Sequence, residues 1–342
     1  MDSARAALAL SLVPGVGPAG YRELVERHGS AGAAWSARPI GSAERAARLS
    51  ADEVGMRAAA CGAITIAQED SLYPAQLLDL GNAPPVLFAI GDMAALGSPC
   101  VAIVGTRSAT AYGERVTREL ASSLARAGAT IVSGMARGID AAAHLAALDA
   151  GGKTIAVLGT GVDLAYPTAH RELRQQIASH GLLLSEELPG DRASSGSFPK
   201  RNRIIAALSL VTIVVEAPAR SGALITANHA LELGRTVAAV PGPIDSPHST
   251  GSNELLRDGA MVIASVEDAV ALVGLTPPIR RQPHFGSEAE RAIWDALSHG
   301  TTDIESLTCR SALPARECMA AVTALELAGA IECALTGEIR RR

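Results

Sequence analysis

The feature that most limits the possible folds is a change of period near residue 100. From there, short β-branched apolar runs alternate with segments of helical spacing: VAIVG (101–105), TIVSG (130–134), TIAVLG (154–159), VTIVVE (211–216) and TVAAVPG (236–242). Continuous apolar strands separated by helices are what a parallel sheet covered on both faces requires. Helices are expected near 112–127, 138–150, 168–180, 199–208 and 222–233. The predicted class is α/β, a doubly wound parallel sheet. Aromatic residues at 3% and 33 glycines suit close helix-on-sheet packing, and 48% hydrophobic against 19% charged residues excludes global disorder.

The flanking regions read differently. Residues 1–66 are expected to be a small all-α domain of helix-hairpin-helix or SAM-like type, with a Pro14-Gly15-Val16-Gly17-Pro18 break between two helices and a later helix from Ser50 (capping box with Glu53) to near Gly62. The sheet domain is assigned 67–275, and the Pro-rich stretch 276–286 a linker. Residues 287–342 show helix starts near Ser287, Thr302 (capping box with Glu305) and Pro314, then a short hairpin, a winged-helix-like pattern.

Net charge is −5, so any polyanion site must be local. Only two lysines occur, Lys153 and Lys200, and the one basic cluster is Lys200-Arg201-Asn202-Arg203. No apolar run approaches the length of a membrane span, the N-terminus lacks secretory-signal features, and the five cysteines form no CxxC pair. A cytoplasmic protein without a metal site is expected.

Four segments carry candidate chemistry. Gly105, Thr106 and Arg107 follow the first strand of the alternating pattern, where amides, a hydroxyl and a guanidinium suit a phosphodiester. This loop is neither a Walker A loop nor GxGxxG, so no nucleotide cofactor is expected. Ser133 and Gly134 end the next strand, with Arg137, Asp140 and His144 beyond. There Asp140 and His144 read as structural, Asp140 pairing locally with Arg137, whose own role is mixed. Phe198 precedes the basic cluster, so the ring suits a base and the cations suit phosphates. Cations at a helix start oppose its dipole and suggest a bound anion. Ser221, Gly222 and Thr226 read equally as a phosphate cradle or a structural turn, and PGVG as a phosphate-binding hairpin or a plain turn. No nucleophile–base pairing or metal-ligand spacing is visible, so no catalytic residue is assigned.

Taken together, VAIVGTRSAT, SGMARGIDAAAH, AVLGTGVDLAYP, FPKRNRIIAALS, VVEAPARSGALITA and AAVPGPIDSPHSTGSNELLRDGA resemble the DprA (Smf) DNA-processing family, in order across 101–261. The resemblance implies an extended Rossmann-like domain that binds single-stranded DNA without hydrolysing it. It also implies a homodimer that recruits RecA recombinase during natural transformation, helping to displace single-stranded DNA-binding protein. Gly105 and Arg107 match the family's Gly-Ser-Arg loop, and Phe198, Arg201, Asn202 and Arg203 match its FPxRNR segment. Departures are Thr106 for Ser, Met135 for a usual Gly and His170 for a common Asn. The alternatives are a Rossmann-like nucleotide N-glycosidase, akin to phosphoribohydrolases, and a small-nucleotide sensor. The terminal module is expected not to read duplex DNA, because 283–342 carries 9 acidic and 6 basic residues.

Overall fold

The computed structural model describes residues 2–39, 41–194, 196–276, 284–297, 302–334 and 337–341. Most of the expected linker therefore lies outside the described residues. The chain divides into two compact units, residues 1–278 and 279–342.

Four helices open the first unit: α1 (Ser3–Ser11), α2 (Pro18–His28), α3 (Ala31–Ser36) and α4 (Ser42–Ala60). Gly15, at φ +86°, turns the chain between α1 and α2, whose start at Gly17 has no side-chain cap. The expected helix start at Ser50 is corrected: α4 begins eight residues earlier, where Glu44 accepts the Gly41 amide at 3.1 Å, and Ser50 lies within the helix. These helices do not form a unit of their own. Leu8, Leu10 and Tyr21 share one core with Phe88, Leu158, Ile177 and Leu183 of the α/β region. The helices are rich in alanine and carry too few large apolar side chains to close a separate core.

The α/β region runs β1 (Ile64–Ala67), β2 (Val86–Gly91), β3 (Cys100–Val104), α5 (Ala111–Arg126), β4 (Thr130–Ser133), α6 (Ile139–Asp149), β5 (Thr154–Leu158), α7 (Arg171–His180), β6 (Leu182–Ser185), α8 (Ser197–Leu208), β7 (Val211–Val214), α9 (Gly222–Glu232), β8 (Thr236–Ala239), α10 (Thr250–Arg257), β9 (Met261–Val262) and α11 (Val266–Leu272). Among the described residues the sheet order is β1-β2-β6-β5-β4-β3-β7-β8-β9. From β6 to β9 the neighbours are parallel, and β1 and β2 join antiparallel at one edge. Expected and observed strands coincide for β3, β4, β5, β7 and β8, while β1, β2, β6 and β9 are additions. Both faces are covered: Ile204, Ile205 and Ala227 pack on one, Leu120, Leu124 and Ala143 on the other.

The second unit is α12 (Glu288–Ala296), α13 (Ile304–Ser311), α14 (Ala315–Leu327) and an antiparallel pair, β10 (Ile331–Cys333) and β11 (Ile339–Arg341). It has its own core, built on Ile293, Leu307, Val322, Leu325 and Ile339. The cap of α13 is Asp303, accepting from the Ser306 amide at 2.7 Å, rather than Thr302, which bridges to Ile339.

Candidate functional site

The order of the strands determines where a ligand can sit. β3 pairs with β4 on one side and β7 on the other, all parallel. The chain winds outward from β3 through β4, β5 and β6, then returns to lay β7 against β3 and winds the other way. Loops diverge at the carboxyl edge of such a reversal, and open α/β sheets bind ligands there.

The loop after β3 is held from both neighbours. The Thr106 amide donates to the Glu216 carbonyl at 2.7 Å, and the Ile139 amide at the head of α6 donates to the Thr106 carbonyl at 3.2 Å. The buried Glu216 carboxylate accepts from the Thr110 amide at 2.9 Å and its hydroxyl at 2.8 Å, and Thr110 caps α5. At Gly105 a Cβ would meet Ile139 at 2.5 Å and the Glu216 carbonyl at 2.8 Å, so only glycine fits. This scaffold presents Arg107, which is exposed and has no acidic partner among the described residues. Its guanidinium lies 5.4 Å from the centroid of the Phe198 ring, and Tyr166 packs on that ring at 5.1 Å and 34°.

Two adjoining cavities, of about 310 and about 350 Å³, meet at Arg107, Ala136, Phe198 and Arg201. The first collects Gly105, Thr106, Asn202, Ser221, Gly222 and Thr226, and the second Gly134, Arg137, Tyr166 and Pro167. Ser221 caps α9, accepting from Ala223. Asn202 bridges the helices, accepting from Arg201 Nε at 3.2 Å and donating to the Gly222 carbonyl at 3.2 Å.

Three sequence-expected residues are engaged by partners within the protein. Ser133 is fully buried and donates to the Ile103 carbonyl at 2.7 Å. Arg203 is buried and forks onto Glu186 at 3.0 and 2.8 Å, also donating to the Asn82 carbonyl. Lys200 pairs with Glu186 at 3.2 Å and Glu187 at 3.4 Å. The cations at the start of α8 thus already have internal anions, and the dipole argument for a bound one does not apply to them.

Arg201 forms the floor. It is 4% exposed and donates to the Gly134 carbonyl at 2.9 Å and to the Val157 carbonyl. Burial pushes its pKa down to about 10, opposed by Asp140. Asp140 accepts from the amides of Gly134 at 3.1 Å and Ala136 at 3.2 Å, and burial raises its pKa against the pull of Arg201. Its charge partner is therefore Arg201 rather than the expected Arg137, which is exposed. Beneath them His144 is fully buried, its pKa lowered to about 3 by burial, then by Arg201 and His170.

Two of the departures noted in the sequence meet here: His170 Nδ1 lies 3.1 Å from the Met135 carbonyl oxygen, and Met135 holds a left-handed φ of +56° with its side chain buried. Burial of a large apolar side chain offsets a conformation that favours glycine. Tyr166 lines the second cavity and was not assigned from sequence, and Arg220 is an exposed neighbour of Ser221 in the chain. The first was visible in the Tyr-Pro pair after β5, the second in the loop after β7. No group of three or more His, Cys, Asp or Glu suited to a metal occurs among the described residues.

Residues 64–274 match the family described as DNA recombination-mediator protein A, and residues 277–334 match the DprA winged helix domain. The DNA processing protein DprA of Streptococcus pneumoniae is 45% identical over 206 residues, covering 59% of this chain and 71% of that protein. Protein Smf of Synechocystis is 41% identical over 288 residues, 79% of this chain and 72% of that protein. The X-ray structure of the S. pneumoniae protein superposes with a TM-score of 0.71 at 34% identity, covering 79% of this chain and 98% of that one. DNA processing protein A from Helicobacter pylori, whose structure addresses its own single-stranded DNA binding mode, gives 0.57 at 35% identity, over 62% of this chain and 96% of that one.

Proposed function

The chain belongs to the family of DNA recombination-mediator protein A, also called DprA or Smf, and from that premise we propose that it binds single-stranded DNA at the sheet-edge crevice without breaking it. The observation that carries this reading is the Arg107–Phe198 pair. An exposed guanidinium without an acidic partner among the described residues stands on a loop fixed from two sides, over an aromatic ring bordering both cavities. Guanidinium to phosphate and ring to base is the chemistry of sequence-tolerant single-strand binding. Gly105, Thr106, Arg107, Gly134, Arg137, Phe198, Asn202, Ser221, Gly222 and Thr226 are the proposed contact surface. Arg201 shapes its floor, Ser133 and Arg203 are buried in support of it, and Lys200 is engaged by Glu186 and Glu187.

An N-glycosidase needs a carboxylate free to act beside a bound sugar. Here Asp140 is buried and holds loop amides, Glu216 is buried and holds Thr110, and Glu232 pairs with His229 on the exposed part of α9. The proposed role is that of a non-enzymatic mediator acting in the cytoplasm. As a homodimer it loads RecA onto incoming single strands in natural transformation and helps to displace single-stranded DNA-binding protein.

Fluorescence anisotropy with a labelled oligothymidylate tests the binding step. Saturable binding that a mononucleotide does not compete is expected, and Phe198→Ala should cost ~1–3 kcal/mol of affinity. Equal competition by the mononucleotide, or release of free base from it, would overturn the reading. Faster RecA filament growth on strands coated with single-stranded DNA-binding protein is the expected result for the mediator step.

A further inference from the structure

A second aromatic–cation pair stands on the same sheet edge. Tyr112, in the first turn of α5, is 37% exposed, and the Arg115 guanidinium lies 5.5 Å from its ring centroid. The Tyr112 hydroxyl donates to the Pro241 carbonyl at 3.0 Å, just after β8. That bond ties Tyr112, from the β3 side, across β7 to the carboxyl end of β8. The loop beyond Pro241 carries Ile244, which at 99% exposure is an apolar side chain wholly in water. Between the pairs, the loop after β7 holds Arg220, exposed and without an acidic partner among the described residues.

The edge therefore reads ring and cation, cation, cation and ring. From β3 to β8 is two strand spacings, roughly 10 Å, or about three nucleotides at roughly 3.4 Å each. Glu114 precedes Arg115 and Asp245 follows Ile244 in the chain, so the second pair would act through its ring more than through net charge.

We propose that Tyr112 and Arg115 form a second stacking station, which carries a single strand from Phe198 across β7 to the end of β8. This rests on the single-strand reading of the Arg107 site. A length series of oligothymidylates separates the two claims. For the wild type, affinity should rise from three nucleotides to about six or seven and then level off. Tyr112→Ala should leave the shortest oligomer unaffected and weaken the longer ones by roughly five-fold or more, the loss of one stacked base. Tyr112→Phe keeps the ring and loses the Pro241 hydrogen bond, so it should retain the length dependence. Arg115→Ala should lower the salt slope for long oligomers only, by roughly 0.7.

If Tyr112→Ala binds every length as the wild type does while Arg107→Ala weakens them all, the second station is wrong and the first stands. Failure of the wild type to bind any length removes both. If Tyr112→Phe loses as much as Tyr112→Ala, the residue only fastens the β8 loop, and the stacking proposal is overturned.

Discussion

A buried histidine beneath the crevice shows how far single side chains are constrained. Thr154 donates its hydroxyl to the Ile131 carbonyl at 2.8 Å, so it accepts from His144 Nδ1 at 2.7 Å, and the proton sits on that nitrogen. Nε2 is buried without a partner among the described residues, and a second proton there would be stranded beside Arg201. The folded-state pKa of about 3 lies below the ordinary 6.5, so on acidification the unfolded chain takes up this proton first. The stability from neutral His144 is complete above about pH 6.5 and is lost as pH falls toward 3, at up to about 1.4 kcal/mol per pH unit. His144→Asn keeps a donor toward Thr154 and removes the titration. Denaturant melts between about pH 6.5 and 4 should therefore give a flatter stability profile than the wild type; equal slopes would place the acid sensitivity elsewhere.

The loops of the site are locked element to element, and Gly134 is a sharp test of that locking. A Cβ there would overlap the Arg201 guanidinium, so Gly134→Ala must push Arg201 off the Gly134 and Val157 carbonyls and away from Asp140. Disrupting a buried charge pairing costs about 3 kcal/mol or more. The urea midpoint should fall accordingly; a wild-type midpoint would mean that Arg201 has another stable seat. This also marks the limit of sequence reading. β3, β4, β5, β7 and β8 were legible because their β-branched runs alternate with helices. β6 was not, because Leu182-Leu183-Leu184-Ser185 has no β-branched residue, and β9 is only two residues long. Arg107 was legible from its place after a strand. The partners of Arg201 and Arg203 were not: Gly134, Val157, Asn82 and Glu186 come from other elements, and only the fold brings them to α8.

The two compact units suggest a division of labour. The terminal unit has its own core, and its α14 exposes Met319 and Leu327 with Arg316 as its only cation. A groove-reading helix needs basic residues toward phosphates, and this module is net acidic. Deleting 283–342 should leave single-strand affinity within a few-fold of the full chain. A loss of more than about ten-fold, or 1.4 kcal/mol, would show that the site extends into the terminal unit.

The free and the engaged cations of the crevice can be told apart by salt. Single-strand affinity, titrated at several salt concentrations, should fall with a log–log slope of roughly 0.7 for each phosphate neutralised. Arg107→Ala should weaken binding to every sequence and reduce that slope by about one contact's share, roughly 0.7. Lys200→Ala, whose ammonium is paired with Glu186 and Glu187, should leave the slope unchanged. The opposite pattern, with Arg107→Ala indistinguishable from the wild type and Lys200→Ala lowering the slope, would contradict the placement of the strand.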